Sequence, residues 1–175
     1  MDMIETERMA RYFMYVALVN ALAAALFTTP ILVPTFGIPL VAGVFPGTWM
    51  LIAYVVFLAV GVMGMVGWAA MYYLASHLVG KKQTIKIFAI THLVIVEVSV
   101  YGYASLMSAA GWLGGQALRQ GLAVVAVGFL IEWLILPTGA FVALVVLGQV
   151  VGLTNMIATL RRREITSIAE TTIPA

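Results

Sequence analysis

Two apolar runs, TWMLIAYVVFLAVGVMGMVGWAAMYYLASHLV (48–79) and IKIFAITHLVIVEVSVYGYASLMSAAGWL (85–113), are joined by the short turn GKKQT (80–84). Each run exceeds the ~20 residues a helix needs to cross a hydrocarbon core roughly 30 Å thick, and neither alternates polar and apolar faces as a soluble element does. The pair reads as a membrane hairpin. Its turn carries Lys81 and Lys82 and is followed by Lys86. Short loops rich in Lys and Arg stay on the cytoplasmic side, and this orients every other segment.

The composition agrees. The chain is 63% hydrophobic and 9% charged, against about 25% charged residues in an ordinary soluble domain. At 175 residues a single transmembrane helical domain over residues 1–160 leaves no room for a soluble catalytic unit beside it. The net charge of +2 comes from terminal and loop residues, so it reports topology and not a nucleic-acid partner. The absence of cysteine excludes disulfides, iron–sulfur clusters, thiolate-ligated haem and zinc–cysteine sites.

Outward from the hairpin, the N-terminal side offers a first span over about residues 12–33. A secretory signal would have an apolar core of only ~7 to 15 residues, so the longer run is expected to remain as a helix. It ends in proline-rich chain, with Pro30, Pro34, Pro39 and Pro46 all before the second span begins. Proline lacks a backbone donor and disfavours helix in the residue before it, so residues 35–47 read as a loop. That loop is apolar, with Ile38, Leu40, Val41, Val44 and Phe45. It is expected to re-enter the bilayer, lie along the interface or be covered by another subunit.

On the other side, Gly114-Gly115 is expected to break the third span, with residues 116–120 as the next loop. The last apolar run, 121–160, makes either one helix ~60 Å long or two short spans divided near Pro137. Four spans place Arg8, Arg11, the three lysines and Arg161 to Arg163 inside, with only Arg119 outside. Five would put the arginine triplet outside, against the positive-inside rule. Tryptophans support four: Trp49, Trp112 and Trp133 each lie 28 to 32 residues from a basic inner end, or roughly 42 to 48 Å along a helix. The expected fold is therefore an all-α membrane protein, a four-transmembrane-helix bundle with spans of about 12–33, 48–79, 85–113 and 121–160. Both termini are cytoplasmic and residues 161–175 form a polar cytoplasmic tail. The alternative is five spans with a break at Pro137. In the four-span reading residues 121–131 project past the outer interface although apolar, and the 35–47 loop, alone or with a partner protein, is what they pack on.

Ionisable residues inside a membrane are costly and therefore functional candidates. Glu97 lies eleven residues after Lys86, ~16 Å along the helix and near the bilayer centre. Tyr101, Ser105 and Ser108 continue one polar stripe from it. The stripe reads either as a proton or cation path, with Glu97 protonated at rest because a charge is costly in low dielectric, or as a packing and hydrogen-bonding face. Glu132, beside Trp133, falls at the outer interface in the four-span reading. His77 and His92 fall at similar depth on antiparallel helices, where they would make an interfacial hydrogen-bonding pair or, as the further reading, ligate a haem b. Gly61, Gly64 and Gly67 are expected to let a neighbouring helix approach closely. Asn20 and Asn155 are expected to bond between helices. No nucleophile–base pair, metal-ligand spacing or phosphate-binding glycine loop is present, so neither catalysis nor a metal is expected.

The stretch Phe45-Pro46-Gly47-Thr48-Trp49-Met50-Leu51-Ile52, running on to Gly67, resembles the start of the second helix of haem-copper oxidase catalytic subunits. In that family a histidine before Gly-Thr ligates the low-spin haem; here Pro46 stands in its place. The resemblance covers about twenty of 175 residues and implies at most a small companion subunit without a metal centre of its own. The functional expectation is a non-catalytic integral subunit or assembly partner of a larger membrane complex, such as a respiratory oxidase or membrane-bound oxygenase. Its partners would be the lipid bilayer, in the plasma membrane, and other integral membrane subunits. The alternatives are a small homo-oligomeric transporter or channel with Glu97 on its path, and a cytochrome b-like electron carrier.

Overall fold

A computed structural model describes residues 5–33, 37–81 and 83–161. Lys82 and the expected polar tail beyond Arg161 lie outside the described residues. The described chain is helical: α1 (Glu5–Leu32), the short α2 (Ile38–Ala42), α3 (Trp49–His77), α4 (Lys86–Arg119) and α5 (Val124–Arg161). Four of these, all but α2, are long and apolar enough to cross a membrane.

The last helix settles the choice between four and five long segments. α5 runs unbroken through Pro137 for 38 residues, about 57 Å at 1.5 Å per residue. One turn around the proline, the Thr138 hydroxyl donates to the Leu134 carbonyl (2.6 Å), a local bond of the kind that lets hydrophobic helices carry proline. α5 packs antiparallel on α4, and the glycines show the register. Gly152 meets the His92 ring, Gly148 meets Val96, Gly102 meets Phe141 and Gly114 meets Val127.

Two expected boundaries are corrected. Gly114-Gly115 does not break the third span: α4 continues to Arg119. The terminator is Gly121, at φ 89°. The Gly121 N–H bonds the Leu118 carbonyl (2.9 Å) and the Leu122 N–H bonds the Ala117 carbonyl (3.0 Å), which is a Schellman cap built on a left-handed glycine. Gly114 and Gly115 serve close packing instead. A Cβ on Gly115 would come within 2.6 Å of Val41 and 3.0 Å of Gly47 Cα. The second correction follows from the first, because what presses on these glycines is the expected 35–47 loop. Its described part contains α2, with Pro39 in the first turn, where a missing N–H is tolerated. Val41, Ala42, Pro46 and Gly47 are buried. Pro46 and Val127 both touch Gly114, so the apolar loop and the start of α5 meet over the end of α4.

The described basic residues other than Arg119 collect at the other end of the molecule. The Thr6 hydroxyl at the start of α1 donates to the Lys81 carbonyl (2.8 Å), and Thr84 bonds Thr159 near the end of α5 (2.9 Å). The first and last described helices thus share one end with the lysine turn. At the opposite end Trp49 packs with Ala110, Ile131 and Leu134, which brings Trp49, Trp112 and Trp133 to one level. The most apolar surface faces outward along all four long helices.

Candidate functional site

Asn20 is the centre of the polar interior. It is fully buried on α1, where an unsatisfied amide would be expensive, and every bond it makes reaches another helix. Its Nδ2 donates to the Glu97 carboxylate on α4 and to the Gly61 carbonyl on α3 (2.7 Å). Its Oδ1 accepts from the Tyr101 hydroxyl (2.9 Å). Three helices are tied together at the depth where the sequence places Glu97.

Gly61 itself lies within a local irregularity of α3. Residues Phe57–Gly64 of α3 form a π-helical segment, in which i→i+5 bonding displaces the usual carbonyl partners; such segments occur frequently at functional sites. The segment also changes the phase of α3. Gly61 faces the bundle, meeting Val100 at 3.2 Å and Asn20 at 3.4 Å for a Cβ placed there. Gly64 meets only the carbonyl of its own Ala59, and Gly67 meets nothing within 4 Å. The close approach expected at all three glycines is therefore found at Gly61 alone. In this chain the role belongs mainly to Gly102, Gly111, Gly114, Gly115, Gly148 and Gly152.

Toward the basic end, the way from Glu97 is filled by aromatic rings. One to two turns away, Phe13, Trp68, Tyr72 and His92 pack together, with Phe13 and Tyr72 stacked at 5.4 Å and Trp68 edge-on to His92 at 4.4 Å. Trp68 Nε1 donates to Gln149 on α5 (3.0 Å). Below this layer Asn155 Nδ2 donates to the Tyr72 hydroxyl (2.7 Å), and its Oδ1 accepts from the Ile85 N–H (3.2 Å). Asn155 so pins the hairpin turn to α5, the interhelical role expected of it.

Toward the tryptophan level, a cavity of about 400 Å³ opens between α1, α3 and α4. Tyr101, itself exposed, lines its end toward Glu97, with its ring against Phe57 (5.1 Å, edge-on). Ser105 and Ser108 line the α4 wall, so Tyr101, Ser105 and Ser108 of the stripe face this region while Glu97 lies a turn below it, held by Asn20. Tyr54, hydrogen-bonded to Thr28, lines the opposite wall.

The remaining candidates are dispersed. His92 is 0% exposed, and neither ring nitrogen has a hydrogen-bond partner among the described residues. His77 lies outside, its side chain 43% exposed, stacked on Tyr73 and 3.7 Å from Glu7. It borders a separate cleft of about 500 Å³ at the basic end. The expected pairing of the two imidazoles is not found. The His92 ring is closed in by Phe13, Trp68 and Gly152. Glu132 is exposed beside Trp133. Sequence reasoning missed Asn20 as the partner of Glu97, and the signal lay only in its being a buried amide in an apolar run. No family model matches the chain, and neither curated proteins nor solved structures yield a match.

Proposed function

We infer that the chain is a non-catalytic integral membrane subunit, or assembly partner, of a larger membrane complex, with its basic end and both termini in the cytoplasm and the plasma membrane as its site. One observation carries this reading. α5 extends nine residues beyond Trp133, ~13 Å past the aromatic level, and there Val124, Val125 and Phe129 are 72%, 71% and 73% exposed. Apolar side chains beyond an aromatic belt meet neither acyl chains nor, here, another part of the described chain. A contiguous surface of this kind marks a protein contact. Exposed Phe45, on the segment that covers Gly114, extends it. The local resemblance to oxidase catalytic subunits favours a respiratory oxidase or membrane-bound oxygenase as the complex.

The transporter reading draws on Glu97 and the cavity beside it. Against it, Asn20 holds the carboxylate and the aromatic layer fills the route to the basic end. Gentle detergent extraction through a tag on the C-terminal tail, recording subunit composition and visible spectrum together, tests the proposal. Stoichiometric companions are expected. They should be lost in Val125→Asp/Phe129→Asp, whose own helical content should not change because neither side chain is buried. A chain recovered alone from native membranes overturns the reading.

A further inference from the structure

We propose that the cavity between α1, α3 and α4 binds a neutral, lipid-soluble ring compound bearing carbonyl or hydroxyl oxygens, the chemistry of a membrane quinone. This goes beyond the subunit reading and does not depend on it. Three independent features converge on the cavity. Its volume of about 400 Å³ lies within the range of small-molecule sites, roughly 300 to 1,000 Å³. Its walls carry several aromatic rings, among them Phe27, Tyr54, Phe57 and Tyr101, which favour a flat ring by stacking or edge contact. Phe57 also opens the π-helical segment, so the backbone irregularity of α3 borders the cavity.

The polar groups define the ligand further. Ser105 and Ser108 follow Tyr101 by one and two turns on the α4 wall, spanning ~10 Å. Their hydroxyls take no part in the Asn20 network and can donate to carbonyl oxygens. The Tyr101 hydroxyl spends its proton on Asn20, which leaves its oxygen only as an acceptor. No charged side chain lines the cavity among the described residues, and Glu97 stands just behind Tyr101. A phosphate or carboxylate headgroup would thus find no cation and a carboxyl nearby, which argues against a phospholipid or fatty acid. Phe27 at the cavity and Ser105 on its wall are exposed, so the ligand enters sideways from the bilayer.

The test is binding of decylubiquinone to the full chain in nanodiscs, followed by the shift in unfolding temperature across a concentration series, with decanol as the tail-only control. A saturable shift is expected with the quinone and none with decanol. Ser105→Ala/Ser108→Ala should unfold like the parent without ligand and bind about tenfold more weakly, as expected for two lost neutral hydrogen bonds. Ala104→Phe, which fills the cavity, should abolish the shift. An unsaturable response, an equal response to decanol, or unchanged affinity in the double serine variant overturns the proposal. The serine variant keeps the test decisive even if Ala104→Phe fails to fold.

Discussion

The same substitution, glycine to alanine, should act with opposite sign at two positions, Gly152 and Gly67. At Gly152 the new Cβ would sit 2.6 Å from His92 Cε1 and Nδ1 and 2.9 Å from Nε2, where ordinary contact is 3.4–4 Å. The imidazole must retreat by most of an ångström. It has nowhere to go, with Trp68 at 4.4 Å and Phe13 at 5.2 Å between ring centroids. Overpacking of this kind costs about 1–3 kcal/mol, and the intrinsic preference of a helix for alanine returns about 0.5–1 kcal/mol. The mid-range net is a loss of about 1 kcal/mol, within limits of about 0 to 2.5 kcal/mol. At Gly67 nothing lies within 4 Å, so only the helix preference remains and Gly67→Ala should gain about 0.5–1 kcal/mol. Equilibrium unfolding in mixed micelles, titrated with denaturing detergent and followed by far-UV dichroism, measures both. The reasoning fails if Gly152→Ala is more stable than the parent, or if Gly67→Ala is the less stable variant.

Other expectations follow from the polar interior. Asn155→Leu removes the acceptor of the Ile85 N–H and the donor to Tyr72, and should lose about 1–3 kcal/mol in the same unfolding assay. Tyr72→Phe should lose about 0.6 kcal/mol, near the average for hydrogen bonds between membrane helices, and the double variant should show that the two effects are coupled. Asn20→Leu strands both the Glu97 carboxyl and the Tyr101 hydroxyl and should destabilise more than Glu97→Gln, which retains an acceptor for Asn20; an equal loss in both would place the stabilising contact elsewhere. In reconstituted vesicles, parent and Glu97→Gln should both show background cation flux, whereas a flux present in the parent and absent in the variant would favour transport.

Much of this architecture is legible in the residues. Length and hydropathy point to four long helices, and the tryptophan-to-basic spacing favours one unbroken α5 over a pair divided at Pro137. Charge spacing also groups the basic residues other than Arg119 at one end, where Thr6, Lys81, Thr84 and Thr159 meet. The Glu97 stripe follows from i, i+4 spacing. Its partner does not, because Asn20 is 77 positions away and an amide looks the same wherever it is buried. The glycines mislead for a related reason. Gly114-Gly115 resembles a helix stop by local preference, yet Val41 and Pro46 press into the space a side chain would occupy, so packing overrides propensity. Gly61, Gly64 and Gly67 resemble a packing face by count, but only Gly61 points inward after the π-helical segment.

The sequence by itself determined the number of long helices and their apolar outer surface. Transfer from water to an apolar phase is a sum over residues, and that sum needs no knowledge of neighbours. Only the tertiary structure decided which glycines are crowded, which polar groups meet Asn20, and that His77 and His92 stand apart. Those outcomes depend on the rotational phase of each helix, and that phase is set by its neighbours and, in α3, by eight residues of π-helix.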